Sequence, residues 1–486
     1  MTAGTSLGHS AARGGAITML GQLARVLIQV AGIVVLARLL SPEDYGLLAM
    51  VVAIVGVGEI FRDFGLSSAA IQAPTISKGQ RSNLFWLNSG IGFTLAILTI
   101  VLAQPIALLY GEPRLAGICL VLSSTFLLNG IATQHKADIT RQLKFRKLAL
   151  IEVIAPAIGL AVGLVSAIVG FGYWSLVLQQ VAIPLVAAIL FLQAGRWVPQ
   201  WYDKTESVRG FMKFGVNLLG AQMLTYASRN ADSVVIGMRF GPASLGLYDR
   251  AFQMIALPLN QLNAPASKVA LPILSRLDED SNRYASFLLR GQSVMINMIT
   301  PLLAFGASVA PAAVTIVLGA QWTESAALFQ LLALGGIAQA LSYATYWVFL
   351  SKGLTASNLR LTLVSRPLIV LGIIVGSNWG VQGVATAYAV GLLLNWPLGL
   401  WWISRVSDAP ALGMFFNGVR ALVVYGIAAI GTHFVTTSLL HFNELGTAAV
   451  GLVIFLAIAS LGLLWRPFRR DIAGILQLRS LLGRRK

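Results

Sequence analysis

Arg25, Arg62 and Arg229 each stand inside an apolar run of this sequence, with polar neighbours at helical spacing. Thr18, Gln22, Arg25 and Gln29 are separated by four, three and four residues, which aligns them on one helix face. Asn217, Thr225, Arg229 and Asp232 form a similar stripe, and Glu59, Arg62 and Asp63 are helical neighbours. A charge at the middle of a bilayer costs at least roughly 2.5–3.5 kcal/mol, so it is normally paired or faces a polar path. Two chemistries compete. In one, Arg62 pairs with Glu59 and Arg229 with Asp232, as neutral staples inside a bundle. In the other, the stripes line a hydrated cavity whose basic groups receive an anion. Guanidinium suits that task because its planar fork meets two phosphate oxygens at once and keeps its charge. Arg25 favours the second reading, since no carboxylate lies three or four residues from it. Its structural alternative is Asp63 or Glu59 on a neighbouring helix. The candidate substrate-binding set is Arg25, Arg229, Gln22, Gln29 and Arg62; Glu59, Asp63 and Asp232 are candidates for charge compensation or ion coupling.

Other reactive residue types are present without the surroundings their chemistry needs. Asp278-Glu279-Asp280 contains a D-x-D, a metal–nucleotide-sugar signature in some glycosyltransferases, but it sits in a short loop and reads as a solvated charge run. His135, His433 and His441 lack metal-ligand spacing. Cys119, the only cysteine, reads as a small buried hydrophobe and excludes an internal disulfide. No glycine-rich phosphate loop, nucleophile elbow or domain for ATP hydrolysis is legible, so no metal or cofactor is expected and any driving energy comes from gradients.

The elements that carry these residues follow from composition. Of 486 residues, 57% are apolar and 11% charged, where a soluble domain has about 25% charged. The bilayer must be the solvent for so much apolar surface. Apolar runs of spanning length cover 16–37, 45–70, 83–109, 114–134, 149–169, 172–194, 211–237, 245–272, 287–318, 325–350, 361–377, 380–403, 414–438 and 446–465. The fold class is therefore an all-α membrane protein of about fourteen helices, the first retained rather than cleaved as a signal. Pro105, Pro301 and Pro311 interrupt the third and ninth runs, which predicts bent or re-entrant ends there. With the N-terminus inside, 28 Lys and Arg residues fall on the cytoplasmic side, against Arg38, Arg114, Arg239 and Arg250 outside. That asymmetry places both termini in the cytoplasm. It also explains the net charge of +17 without nucleic acid.

The chain also repeats itself at a shift of 200 residues. Val34, Val35, Pro42, Gly46 and Leu47 recur as Val234, Val235, Pro242, Gly246 and Leu247, and Gly15 and Gln22 as Gly215 and Gln222. A weaker match sets the turn at 171–175 beside that at 378–382. The shift spans an even number of helices, so both units keep one membrane orientation and are related about the membrane normal. This predicts an N-lobe at 1–195, a C-lobe at 196–405, and a final helix pair with a basic cytoplasmic tail at 406–486.

The run L36-A-R-L-L-S-P-E-D-Y-G-L-L-A-M50 and the run E59-I-F-R-D-F-G-L-S-S-A-A-I-Q72 resemble the polysaccharide-export branch of the multidrug/oligosaccharidyl-lipid/polysaccharide flippase superfamily. So do S228-R-N-A-D-S-V-V-I-G237 and G246-L-Y-D-R-A-F-Q253. The likeness covers nearly the whole chain and is nearest to the Wzx-type flippases. It implies a two-lobed alternating-access transporter with a cationic cavity, moving an undecaprenyl-pyrophosphate-linked oligosaccharide across the bacterial inner membrane. The implied partners are that lipid-linked substrate, membrane lipids, and a polymerase and chain-length regulator of the same pathway. The competing readings are an ion-coupled multidrug or metabolite antiporter, which favours an acidic cavity, and a polysaccharide polymerase or ligase, which needs a long periplasmic loop.

Overall fold

The computed structural model describes the backbone of residues 3–63, 66, 70–71, 75–206, 208–438 and 442–483. Side chains are described for 19–62, 66, 70–71, 75–206, 208, 223, 226–438 and 442–474. The helices of the first half are α1 (Ala3–Leu39), α2 (Pro42–Asp63), α3 (Lys78–Tyr110), α4 (Arg114–Arg141), α5 (Phe145–Ile168) and α6 (Trp174–Gly195). A helical run, Arg209–Arg276, is kinked at Gly241 (φ 79°, ψ −178°) into α7 (209–240) and α8 (242–276). There follow α9 (Ser281–Ser308), α10 (Ala310–Leu318), α11 (Ser325–Ser351), α12 (Thr355–Gly376) and α13 (Gly380–Val406). The last are α14 (Ala411–Ser438), α15 (Glu444–Leu461) and α16 (Arg466–Gly483).

Eleven segments among the described residues are long and apolar enough to cross a membrane, and one of them, Thr355–Val406, contains both α12 and α13. With α7 and α8 these make fourteen long helices among the described residues, α10 continuing the ninth. The chain is an all-α, two-lobed, multi-pass membrane protein. Pro105 and Pro301 lie within continuous α3 and α9. The ninth run breaks at Val309 (φ −116°, ψ 31°), and Pro311 then occupies the first turn of α10, where its missing N–H leaves no hydrogen bond unmade.

The repeat register is visible in the backbone. The break between α1 and α2 falls at Ser41, and the kink between α7 and α8 at Gly241. At the first, Asp44 accepts hydrogen bonds from the Ser41 amide and hydroxyl (2.8 and 2.7 Å). At the second, glycine supplies a positive φ that other residues rarely adopt. Near the weaker match, Gly170, Gly172 and Gly380 carry positive φ, though not at aligned positions.

Two compact units divide the chain, Met1–Gly246 and Leu247–Lys486. Lipid tails are as apolar as leucine, so close packing and interhelical hydrogen bonds must hold each unit together. In the first, α3 packs on α4, α4 and α5 on α6, α1 on α5, and α2 on α4. A Cβ at Gly92 would stand 2.5 Å from the Phe126 carbonyl oxygen, and one at Gly130 2.7 Å from that of Asn88. The backbones of α3 and α4 approach that closely only because both residues are glycine. In the second unit α11 packs on α9 and α13, and α14 on α9 and α15. Trp347, 1% exposed, fills its centre, and its indole N–H donates to Ser267 Oγ at 2.8 Å.

Candidate functional site

In the first unit, α1 packs on α5 through Gly21, against Ala149, and Gly32, against Leu160. Gln22, Arg25 and Gln29 form a stripe beside that contact, and all three are exposed. Arg25 has no ion-pair or hydrogen-bond partner among the described residues. Of the two α2 carboxylates proposed for it, Glu59 is otherwise engaged, and the side chain of Asp63 lies outside the described residues.

Arg62 Nε donates to Glu59 Oε2 at 2.7 Å, and Arg62 Nη1 to Thr133 Oγ1 at 2.7 Å on α4. Asn129 Nδ2 donates to the other Glu59 oxygen at 3.2 Å, and Thr133 Oγ1 donates to the Asn129 carbonyl at 2.7 Å. The group borders a cavity of about 340 Å³ between α2, α4 and α6, also lined by Gly56, Thr125 and Gln180. Arg62 is thus held by an ion pair to Glu59 and a hydrogen bond to Thr133.

Arg229 behaves differently. It is exposed, and no ion pair joins it to Asp232 among the described residues. Asp232 is 2% exposed and accepts a 2.8 Å hydrogen bond from the Ser233 amide. The helix that carries both runs antiparallel along α2. Tyr226 Oη donates to the Val52 carbonyl at 2.9 Å, in the notch left where Gly56 has no side chain. Nearer the other end, Gly237 faces Met50 and Tyr110. The side chains of Thr18, Asp63, Asn217 and Thr225 lie outside the described residues.

The remaining sequence candidates divide. His135 stacks on Trp197 with ring centroids 4.6 Å apart. His433 Nδ1 lies 3.0 Å from the Ser308 carbonyl, and His441 is outside the described residues. No cluster of three or more metal-capable side chains occurs among the described residues. Cys119 is fully buried. Asp278, Glu279 and Asp280 are all exposed, as expected of a solvated run, and two of them also tie local structure together. Lys352 Nζ lies 2.7 Å from Asp278 and 2.7 Å from Asp408, joining three loops, and Asp280 caps α9 by accepting from the Arg283 amide. These carboxylates end helices and tie loops because the chain turns there.

A second polar cluster escaped the sequence reading. Asn83, buried at the start of α3, accepts from the Asp203 amide (2.8 Å) and donates to the Asp203 and Glu206 carbonyls (2.7 and 2.9 Å). Trp86 Nε1 donates to the Gln200 carbonyl, and Arg81 lies over the Trp197 ring at 4.2 Å while pairing with Asp138. The connection from α6 to α7 is therefore fastened to α3 rather than left as a free tether. The polar S82-N83 opening of an apolar run was the available signal.

Comparison with known proteins decides the family. Residues 35–327 match the model of a family described as polysaccharide biosynthesis protein. The chain belongs to that family. It is 26% identical to the teichuronic acid biosynthesis protein TuaB of Bacillus subtilis, over 79% of this chain and 80% of that one. It is 24% identical to the lipopolysaccharide biosynthesis protein WzxC of Escherichia coli, over 81% of each. Among solved structures, the inward closed form of the lipid II flippase MurJ superposes with a TM-score of 0.69 at 15% identity, covering 94% of this chain and 99% of that one. At that identity the likeness shows the fold alone. This chain thus shares its fold with that lipid II flippase.

Proposed function

We propose that the protein flips undecaprenyl-pyrophosphate-linked oligosaccharide repeat units from the inner to the outer leaflet of the bacterial inner membrane. The product serves exopolysaccharide, capsule or O-antigen synthesis, and both termini lie in the cytoplasm. The observation that carries this reading is the contrast among the three intramembrane arginines. Arg62 is neutralised by Glu59, whereas Arg25 and Arg229 are exposed and without a carboxylate among the described residues. With the 200-residue shift applied, Arg25 and Arg229 stand one helical turn apart on corresponding helices. A guanidinium fork suits the oxygens of a pyrophosphate. Gln22 and Gln29 offer the sugar hydrogen-bonding groups, and the polyprenyl tail stays in lipid.

On this reading the lobes are 1–195 and 196–405, with 406–486 appended, and transport alternates access between the two faces. Asp63 and Asp232 balance the arginines or carry coupling protons. The chain makes and breaks no covalent bond; a polymerase and a chain-length regulator act on what it delivers. In a strain lacking its own flippase, Arg25→Ala and Arg229→Ala each abolish surface polymer while reaching the membrane in normal amounts, and Arg283→Ala exports normally. Wild-type export by a correctly inserted Arg25 or Arg229 variant removes that residue from the mechanism.

A further inference from the structure

The second unit carries a basic cavity unconnected with the arginine stripes. After the last span, α16 turns back as a helix with Phe468 and Ile472 on one side and Arg466, Arg469 and Arg470 on others. An amphipathic helix of this kind lies in the membrane interface. Two contacts hold it. Phe468, 2% exposed, meets the Tyr425 ring edge-on at 5.7 Å. Asp471 receives both arms of the Arg420 fork, at 2.8 and 3.0 Å. Arg420 also donates to Asn417, and Asn417 Nδ2 donates to the Leu289 carbonyl at 3.3 Å. Helices α9, α14 and α16 are thus latched through one polar chain.

Beside that latch lies a cavity of about 410 Å³, lined by Arg290, Ser293, Asn417, Arg470 and Asp471 among others. Its charges do not balance. Arg420 engages Asp471, the only lining carboxylate among the described residues. Arg290 and Arg470 are exposed and have no partner among the described residues. Ser293 is 6% exposed, and its oxygen accepts from Asn297 Nδ2 at 3.3 Å. Its hydroxyl proton has no acceptor among the described residues. The wall therefore offers two free guanidiniums and a free O–H donor.

We infer that this cavity binds the phosphodiester headgroup of an anionic phospholipid, with Arg290 and Arg470 on its phosphate and Ser293 toward a hydroxylated head. Three observations favour a lipid over a free anion. The cavity is open, it lies where an interfacial helix meets two spans, and basic pockets at that depth face headgroups. A choline or ethanolamine head brings a cation to the two arginines, so zwitterionic lipid is disfavoured. Bound lipid bridges α9 and α16 and adds to the Arg420–Asp471 latch.

The test uses the full chain purified in a mild detergent. Native mass spectrometry counts bound phosphatidylglycerol and phosphatidylcholine, and thermal unfolding is followed in nanodiscs of each lipid. Wild type retains phosphatidylglycerol in preference and unfolds at higher temperature in it. Arg290→Gln/Arg470→Gln loses that preference roughly thirty-fold, as expected for removing two basic groups at a membrane surface. Arg283→Gln/Arg405→Gln, an equal loss of charge elsewhere, keeps it. The inference is overturned if wild type shows no preference, or if the two double variants behave alike. It is equally overturned if inorganic phosphate in phosphatidylcholine nanodiscs stabilises as well as phosphatidylglycerol does, since the site then takes a free anion.

Discussion

Gly46 and Gly246, 200 residues apart, pack face to face, each with its Cα against the other repeat's proline carbonyl. A Cβ on Gly46 would overlap the Pro242 carbonyl, and one on Gly246 would overlap that of Pro42 and lie 3.1 Å from the Gly46 amide nitrogen. The equivalence read from sequence is thus also a reciprocal contact, on the path where residues 226–246 run along α2. Backbone meets backbone there, so no side-chain rotation can relieve an added methyl.

The first prediction concerns that crossing. Gly46→Ala and Gly246→Ala each force the backbones apart, at about 1–3 kcal/mol for overpacking. The unfolding temperature falls and export drops. Gly90→Ala is the contrast, because a Cβ there meets nothing within 4 Å. Alanine inside α3 gains about 0.5–1 kcal/mol of helix stability. Equal unfolding temperatures for the three variants would show that the crossing is not tight.

A second prediction separates pairing from ligand binding at α2. Arg62→Met strands Glu59 in a partly buried site (the two side chains are 18% and 39% exposed), at about 1–2 kcal/mol after allowing for solvent screening. Adding Glu59→Gln recovers most of that loss, because the remaining amide carries no charge. The coupling appears in a double-mutant cycle of thermal unfolding. Additive losses would mean that Arg62 and Glu59 act independently.

The loop staple gives a pH prediction. Hydrogen bonds from Lys352 and then Ser281 hold the Asp408 carboxyl down to about 2. Its contribution to stability is present above the usual carboxylate range near ~3.9 and is lost as pH falls through about 2. For Lys352, burial works against the charge, but hydrogen bonds to Asp278 and Asp408 outweigh it and raise the pKa. That contribution is present below the ordinary lysine value and is lost as pH rises through the raised one. Between these limits Lys352→Met lowers the unfolding temperature and exposes the 277–280 loop to protease; at pH 2 the two proteins converge. A difference that persists unchanged at pH 2 would contradict the staple.

The fourth prediction is for the connection between α6 and α7. Asn83→Ala removes three hydrogen bonds at a fully buried site, which at about 1 kcal/mol each amounts to about 2–4 kcal/mol. Limited proteolysis within 196–206 accelerates while the transmembrane helices persist by circular dichroism. Unchanged cleavage would show that Trp86, Arg81 and Trp197 hold the segment without Asn83.

Much of the fold was legible because a bilayer leaves a chain few choices. Every backbone polar group must be satisfied within a helix, so each apolar run of about 20 residues predicts a span, and the fourteen runs correspond to fourteen long helices among the described residues. The turn chemistry was legible too, since Pro42, Pro242 and the glycines after them announce the helix starts and close contacts that the repeat shares. Residues at helical spacing could likewise be placed on one face, which put Glu59 beside Arg62. What sequence did not decide was which charges find partners across helices. Arg229 and Asp232 have the same spacing as Glu59 and Arg62 yet form no ion pair among the described residues: Arg229 is exposed, and Asp232 is buried and accepts from the Ser233 amide. Asn83 reaches Asp203 across 120 residues, and Lys352 reaches Asp278 and Asp408 from a third loop. Helical periodicity fixes neighbours at three and four residues. Only tertiary packing sets the distances across helices that make a buried charge a staple or leave it open to a ligand.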